Sequence, residues 1–275
     1  MNDLSVTFSV LISVYDKEKP DYLREALNSV LNQSYLPSEI ILVKDGPLTP
    51  ELNDVINDFD KQYPLFKIIE NEKNLGLGVA LAKGLLECSN EFVARMDSDD
   101  LIPNDRFELQ LEVIKEGYDV VSSWIEIFEG STDNIVAIKK MPEFDSDIKK
   151  FAKKRNPIAH PACMMRKSST IAAGNYQDFL LFEDYYLWVR MMMSGAKFYN
   201  IQKVLYQMRT SNDQFGRRGG LKYLSKELSL QHKFYKFGFL NFHEFLKNIF
   251  IRIAVRPLPI ILRRRIQILI WRKSC

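Results

Sequence analysis

The chain has 275 residues, 46% of them hydrophobic and 12% aromatic, which excludes a disordered polypeptide and allows one large core or two fused lobes. No segment reaches the roughly 20 apolar residues of a membrane-spanning helix, and three cysteines (Cys88, Cys163, Cys275) without metal-type spacing argue against a disulfide-stapled or zinc-bound fold. The net charge of +3 hides an asymmetry: residues 246–275 carry eight Lys/Arg and no Asp/Glu, leaving 30 Lys/Arg against 35 Asp/Glu before them.

The elements follow in chain order. Residues 8–15, FSVLISVY, form a β-rich apolar run too short for a core helix. Pro20 opens a helix whose apolar face is Leu23, Ala26, Leu27, Val30 and Leu31. Residues 39–43 predict a second buried strand, Leu52, Val55, Ile56 and Phe59 a second helix, and residues 66–69 a third strand. A helix over 78–86 and a strand over 91–96 complete the first hundred residues. Strict alternation means βαβ units and a parallel sheet, whose ligands lie beyond the carboxyl ends of its strands. The chemistry is therefore expected at Tyr15-Asp16, Asp45-Gly46 and Asp97-Ser98-Asp99-Asp100.

The second half is mixed. A helix after Pro103 (Phe107, Leu111, Ile114) precedes a long strand over 119–128, read as a candidate antiparallel strand. An irregular loop over 156–161 leads to a short strand over 162–165. A helix over 184–193, a last strand over 204–208 and a Gly- and Arg-containing loop over 212–220 follow. The expected division is a parallel-sheet half (1–100), a mixed half (101–215) and a helical basic tail (216–275).

Asp97, Asp99 and Asp100 put three carboxylates in four residues, and mutual repulsion makes their burial costly without a cation. At the end of a buried strand the run reads as a site for Mg²⁺ or Mn²⁺ shared with substrate phosphates; elsewhere it would be a solvated turn. Asp45 can accept from a base edge or ribose hydroxyl, or simply prepare a turn. Residues 74–78, NLGLG, precede a helix and suit either phosphate or a plain helix entry. Glu183-Asp184 reads locally as a helix cap, with a general base as the functional alternative. His160, between Pro157 and Pro161, is by default a structural hydrogen-bonding residue.

Taken together, FSVLISVY (8–15), ILVKDG (41–46), NLG (74–76), ARMDSDD (94–100) with Pro103 and Arg106, NPIAHP (156–161) and FEDYYLW (182–188) resemble the family 2 glycosyltransferases of bacterial capsule and O-antigen clusters. The resemblance covers residues 8–209 and implies an α/β fold of the GT-A type. That fold has a mostly parallel nucleotide-binding sheet flanked by helices and a mixed acceptor-side half. It implies that Ser13 and Tyr15 line the base, that Asp45 holds the uracil or ribose, and that Lys83 lies near the nucleotide. Asp97 and Asp99 would be the DxD pair on Mn²⁺ or Mg²⁺, Asp184 the catalytic base, Glu183 its orienting partner or an acceptor contact, and His160 an acceptor or diphosphate contact. Many relatives have a His after the last strand; here the stretch is YQMR (206–209), so Arg209 would meet the diphosphate as a fixed cation. Ser13 replaces a common Pro, and Lys44 a common second Asp.

The reaction so implied is inverting transfer of a hexose or N-acetylhexosamine from a UDP-sugar to a polyprenyl-diphosphate-linked saccharide. The rival readings are a metal-dependent sugar nucleotidyltransferase and a catalytically silent membrane-docking scaffold. The tail interleaves cations with Ile249, Phe250, Ile251, Ile253 and Trp271, and Pro257 and Pro259 break it. It is expected to lie on an anionic membrane surface rather than span it. The expected location is cytoplasmic, peripheral on the inner face of the cell membrane. Nucleic acid is not an expected partner, because the body shows no basic stripe.

Overall fold

The computed structural model describes residues 6–179, 181–210, 219–259, 261–263 and 265–266. Its first half is β1 (Phe8–Val14), α1 (Pro20–Leu31), β2 (Glu39–Lys44), α2 (Pro50–Gln62), β3 (Phe66–Glu70), α3 (Leu77–Glu87) and β4 (Phe92–Asp97). The four strands are parallel in the order β3-β2-β1-β4. Both faces of this sheet are covered, which is why its strands read as nearly continuous apolar runs. Pro20 and Pro50 each sit in a first helical turn, and the Thr49 hydroxyl caps α2 by accepting from the Leu52 N–H.

The second half adds α4 (Arg106–Ile114), β5 (Val120–Phe128), β6 (Ile135–Lys139), α5 (Asp145–Ala152), a 3₁₀ turn (His160–Ala162), β7 (Met164–Arg166), α6 (Lys167–Ala172), α7 (Glu183–Met193) and β8 (Phe198–Arg209). β7 inserts antiparallel between β4 and β5, so β5 runs parallel to the first four strands. β5 is antiparallel to β6 and β7, as expected for it, and parallel to β8. β8 pairs parallel with β5 along its length, and an isolated bridge ties Leu101 to Gln207. That bridge lays the end of β8 beside the turn that follows β4. The short strand begins at Met164, because Ala162 belongs to the 3₁₀ turn. Of the loop expected over 212–220, residues 212–218 lie outside the described residues.

α8 (Gly220–Lys236) and α9 (Phe242–Val255) form a hairpin, α8 packing on α7 through Tyr223, Leu230 and Phe234 against Phe182, Tyr185 and Tyr186. The seam between α8 and α9 is polar. Glu227 pairs with Arg252 (3.1 Å) and Arg256 (2.6 Å), and the Asn248 amide donates to Gln231 (2.9 Å). Two of the tail cations expected to face lipid, Arg252 and Arg256, are therefore turned inward. Arg264, Trp271, Arg272 and Lys273 lie outside the described residues. Among the described residues no helix is long and apolar enough to cross a membrane.

Candidate active site

The carboxyl ends of β1, β2 and β4 are level: Ser13 lies opposite Val43 on one side and Asp97 on the other. Ser13 and Tyr15 are half-buried at this edge. Asp45 is 4% exposed, and its carboxylate is held by the chain. Oδ1 accepts from the Asn71 amide (3.1 Å) and the Leu75 N–H (2.9 Å), and Oδ2 from the Gly76 N–H (2.9 Å). Gly46 has φ +94°, and a Cβ there would stand 2.6 Å from the Asn74 nitrogen, so only glycine lets this loop close on Asp45. Lys83 on α3 donates to the Asn71 side chain (3.0 Å) and the Glu70 carbonyl (2.7 Å). Lys83, Asn71 and Asp45 thus form one chain of bonds behind the 74–76 loop.

Asp97, Asp99 and Asp100 present carboxylate oxygens within 4.8 Å of one another. Burial, with Asp97 and Glu18 adding negative charge, pushes the Asp99 carboxyl up to about 7. Burial and the same repulsion push Asp100 well above the ordinary carboxylate range. Asp100 is turned into the protein, where its Oδ1 accepts from the Arg209 N–H (2.7 Å) and its carboxylate from the Tyr206 hydroxyl. Asp97 and Asp99 are left as the pair for a ligand. Hard oxygen donors crowded beyond what their own charge tolerates fit a divalent cation that completes its shell with water or phosphate oxygens.

Glu183 and Asp184 open α7. The Asp184 Oδ2 accepts from the Asn156 amide (2.6 Å) and its Oδ1 from the Tyr185 N–H (2.6 Å). Burial, followed by repulsion from Asp184, pushes the Glu183 carboxyl up to about 7, and Asp97 contributes to that rise. Gly78 in the first turn of α3 sets the spacing: a Cβ there would lie 3.1 Å from the Glu183 Cβ. The starts of α3 and α7 therefore pack against each other, and the end of β4 is near enough for the Asp97 charge to act on Glu183.

Two expected contacts differ. His160 is 6% exposed; its Nε2 is 2.9 Å from the Tyr176 hydroxyl and its ring packs against Trp188. Burial and the positive charge of Arg95 hold it neutral, well below its ordinary pKa. It supports the cleft floor instead of meeting an acceptor or diphosphate. Arg209 is equally committed: it donates to the Asp99 carbonyl (3.0 Å) and to Glu25 on α1 (2.6 Å), and stacks over Tyr22 at 3.8 Å. It clamps the acidic turn to α1 rather than reaching for a diphosphate.

Sequence reading missed Arg95, Tyr206, Glu18 and the side-chain role of Asn156. Arg95 is fully buried and ion-pairs with Asp97. The Tyr206 hydroxyl accepts from the Asp97 N–H (3.1 Å), and Glu18 accepts from the Ser98 hydroxyl (2.6 Å). An arginine inside an otherwise apolar strand run was the available signal for the first.

The family model described as Glycosyl transferase family 2 matches residues 9–172. A UDP-Gal:alpha-D-GlcNAc-diphosphoundecaprenol beta-1,3-galactosyltransferase of Escherichia coli is 41% identical over 261 residues, 94% of each chain. The amylovoran biosynthesis glycosyltransferase AmsE of Erwinia amylovora is 40% identical over 223 residues, 81% of this chain and 84% of AmsE. In fold the chain is similar to S. aureus TarS 1–349 in complex with UDP-GlcNAc, with TM-score 0.64 at 17% identity, over 82% of this chain and 66% of that one. It is also similar to the mannosyltransferase PcManGT from Pyrobaculum calidifontis in complex with GDP-Man and Mn²⁺, with TM-score 0.62 at 14% identity, over 83% of this chain and 64% of that one.

Proposed function

The chain belongs to glycosyl transferase family 2, and from that premise we propose that it is a metal-dependent, inverting glycosyltransferase acting in surface polysaccharide synthesis. It moves a hexose or N-acetylhexosamine from a UDP-sugar to a hydroxyl of a polyprenyl-diphosphate-linked saccharide. The observation that carries the reading is the meeting of two acid pairs, Asp97/Asp99 and Glu183/Asp184, at the carboxyl edge of a parallel sheet.

Asp97 and Asp99 would hold Mn²⁺ or Mg²⁺, which when bound offsets the charge growing on the departing diphosphate. Ser13, Tyr15 and the 74–76 loop braced by Asp45 receive the nucleoside. Asp184, steadied by Asn156, takes the proton of the acceptor hydroxyl. The hydroxyl oxygen bonds to the anomeric carbon as that carbon's bond to the diphosphate oxygen breaks on the opposite face, so an α-linked donor gives a β-glycoside. Glu183, beside Asp184, orients it or touches the acceptor.

The test is transfer by purified protein from UDP-Gal, UDP-Glc, UDP-GlcNAc or UDP-GalNAc to a GlcNAc-diphospho-lipid, with Mn²⁺ and with EDTA. Metal-dependent β-linked product from one donor supports the reading. Release of a new UDP-sugar from UTP and a sugar phosphate would instead identify a nucleotidyltransferase. UDP with Mn²⁺ leaving the melting temperature unmoved would identify a scaffold.

The α8–α9 hairpin supports placing the enzyme on an anionic membrane surface, at the inner face of the cell membrane where such acceptors are anchored. α9 is amphipathic in an unusual sense: it buries Asn248 and Arg252 and exposes Phe250 (70%), Ile251 (50%) and Ile253 (49%). A helix that turns its polar stripe inward presents its apolar side to whatever lies outside, and an interfacial lipid layer matches that side. Sedimentation with anionic vesicles that is lost in Phe250→Glu/Ile253→Glu, with UDP binding retained, is the expected result.

A further inference from the structure

Arg95 lies on β4 two residues before Asp97, so strand alternation sends both side chains to the same face of the sheet. That face is covered by α3 and α7 through Leu81, Leu85, Leu187, Trp188 and their neighbours. Arg95 is 1% exposed. One terminal nitrogen, Nη2, pairs with the Asp97 Oδ1, while Nε and Nη1 are buried with no hydrogen-bond partner. An arginine fork carries five N–H donors in fixed directions, and burying one with part of its fork unused is costly unless the remaining charge is used.

The other groups on this side do not use it. His160 is held neutral, and burial pushes the Cys163 thiol up to about 12 and the Tyr176 hydroxyl well above its ordinary range. Among the described residues the counter-charge comes from carboxylates. Asp97 sits on β4 and Asp99 follows it, and Glu183 and Asp184 open α7. Burial opposes the charge on Arg95, and the Asp97 carboxylate outweighs that, holding the guanidinium above its usual range. Arg95 in turn favours the ionised form of Glu183.

We propose that Arg95 is a positioning residue shared by the two halves of the reaction: its Nη2 edge fixes the Asp97 carboxylate for the donor diphosphate and its ion, and its unpartnered Nε and Nη1 edge supplies positive charge beneath the Glu183–Asp184 pair. The inference rests on the glycosyl-transfer reading for the second role and on the geometry alone for the first. It explains why a full positive charge is kept inside an apolar strand. Four carboxylates, Asp97, Asp99, Glu183 and Asp184, crowd one site, and a resident cation below them offsets part of their repulsion before any substrate arrives.

The experiment compares wild type, Arg95→Met and Arg95→Lys. Calorimetry reads UDP binding in Mn²⁺, and kcat is followed against pH with saturating donor, acceptor and Mn²⁺. Arg95→Met keeps bulk and loses charge. It is expected to weaken Mn²⁺–UDP binding at least about tenfold and to move the acidic limb of the kcat profile up by about one pH unit, the direction for losing a cation near a base. Arg95→Lys keeps charge and loses the fork. It is expected to weaken Mn²⁺–UDP binding while leaving the acidic limb in place. Wild-type binding and a wild-type limb in folded Arg95→Met overturn the proposal. Should that variant fail to fold, wild-type Mn²⁺–UDP affinity in Arg95→Lys overturns it equally. A wild-type limb that Asp184→Asn and Glu183→Gln leave unchanged would sink the base assignment, while the binding measurement still decides Arg95.

Discussion

Asp45→Asn separates two uses of one carboxylate. As a nucleoside contact, Asp45 would matter mainly to UDP; as the structure places it, it matters mainly to the loop. Three donors converge on its oxygens: the Asn71 amide and Leu75 N–H on Oδ1, the Gly76 N–H on Oδ2. An Asn must put its NH₂ on one oxygen position. The cheaper choice is Oδ2, which sets the NH₂ against the Gly76 N–H and leaves two neutral bonds on the other side. One charge-assisted bond is lost outright and two are weakened, for about 3–4 kcal/mol at a site 96% buried by the complement of its 4% exposure. For a chain of this length that is a fall in Tm of about 10 °C. Thermal unfolding in EDTA, followed by circular dichroism, measures the loss, and calorimetry with UDP and Mn²⁺ measures binding. A variant with wild-type Tm and abolished UDP binding would refute this reasoning and return Asp45 to the nucleoside.

Three further outcomes are expected. Asp99→Asn relieves repulsion among buried acids, so in EDTA it should melt at or above wild type while Mn²⁺–UDP binding falls at least about tenfold; lower stability with intact binding would contradict the metal assignment. Gly78→Ala places a methyl 3.1 Å from the Glu183 Cβ, so kcat should fall about tenfold or more with the fold retained; unchanged turnover would show that the position of Glu183 is not critical. Burial and the neighbouring Asp184 push the Glu183 carboxyl up to about 7 in the folded chain, against an ordinary glutamate value of 4.5. Its stability contribution is therefore present below about 4.5 and lost as pH rises through about 7. Glu183→Gln should stabilise the metal-free protein at pH 8 relative to wild type and have little effect at pH 4.5; a pH-independent difference in urea unfolding would oppose the assignment.

The first hundred residues were legible nearly residue by residue because parallel strands buried on both faces leave uninterrupted apolar runs, and the intervening helices show one apolar stripe. The second half was less legible for local reasons. β8 begins at Phe198, but Asn200, Gln202 and Lys203 break its apolar pattern before Val204. α5 buries only Ile148 and Ala152, too little periodicity to register. In the site, strand-end logic located Asp45, Asp97, Asp99 and Asp100, since topology alone puts strand ends together, whereas Glu183 and Asp184 at the start of α7 were legible only through the family resemblance. What it could not place were supports that arrive from far away in sequence. Tyr206 reaches Asp97 because Leu101 bridges Gln207, and Arg209 clamps the Asp99 carbonyl, contacts made across roughly a hundred residues.

The C-terminal hairpin carries the same lesson into function. Composition sees cations scattered among apolar residues and assigns the cations to lipid. The spacing of Glu244, Asn248, Arg252 and Arg256, each four apart, marks a stripe along one helix face, but nothing local says which way it points. Glu227 and Gln231 on α8 decide it: they offer a buried carboxylate and amide that only a polar stripe can satisfy, and α9 turns that stripe inward. The apolar side is then left outward by default. Attachment through it would rest on Phe250, Ile251 and Ile253 more than on charge. Vesicle binding should accordingly be reduced by salt but not abolished, and a complete release at high salt would mean that cations outside this helix carry it.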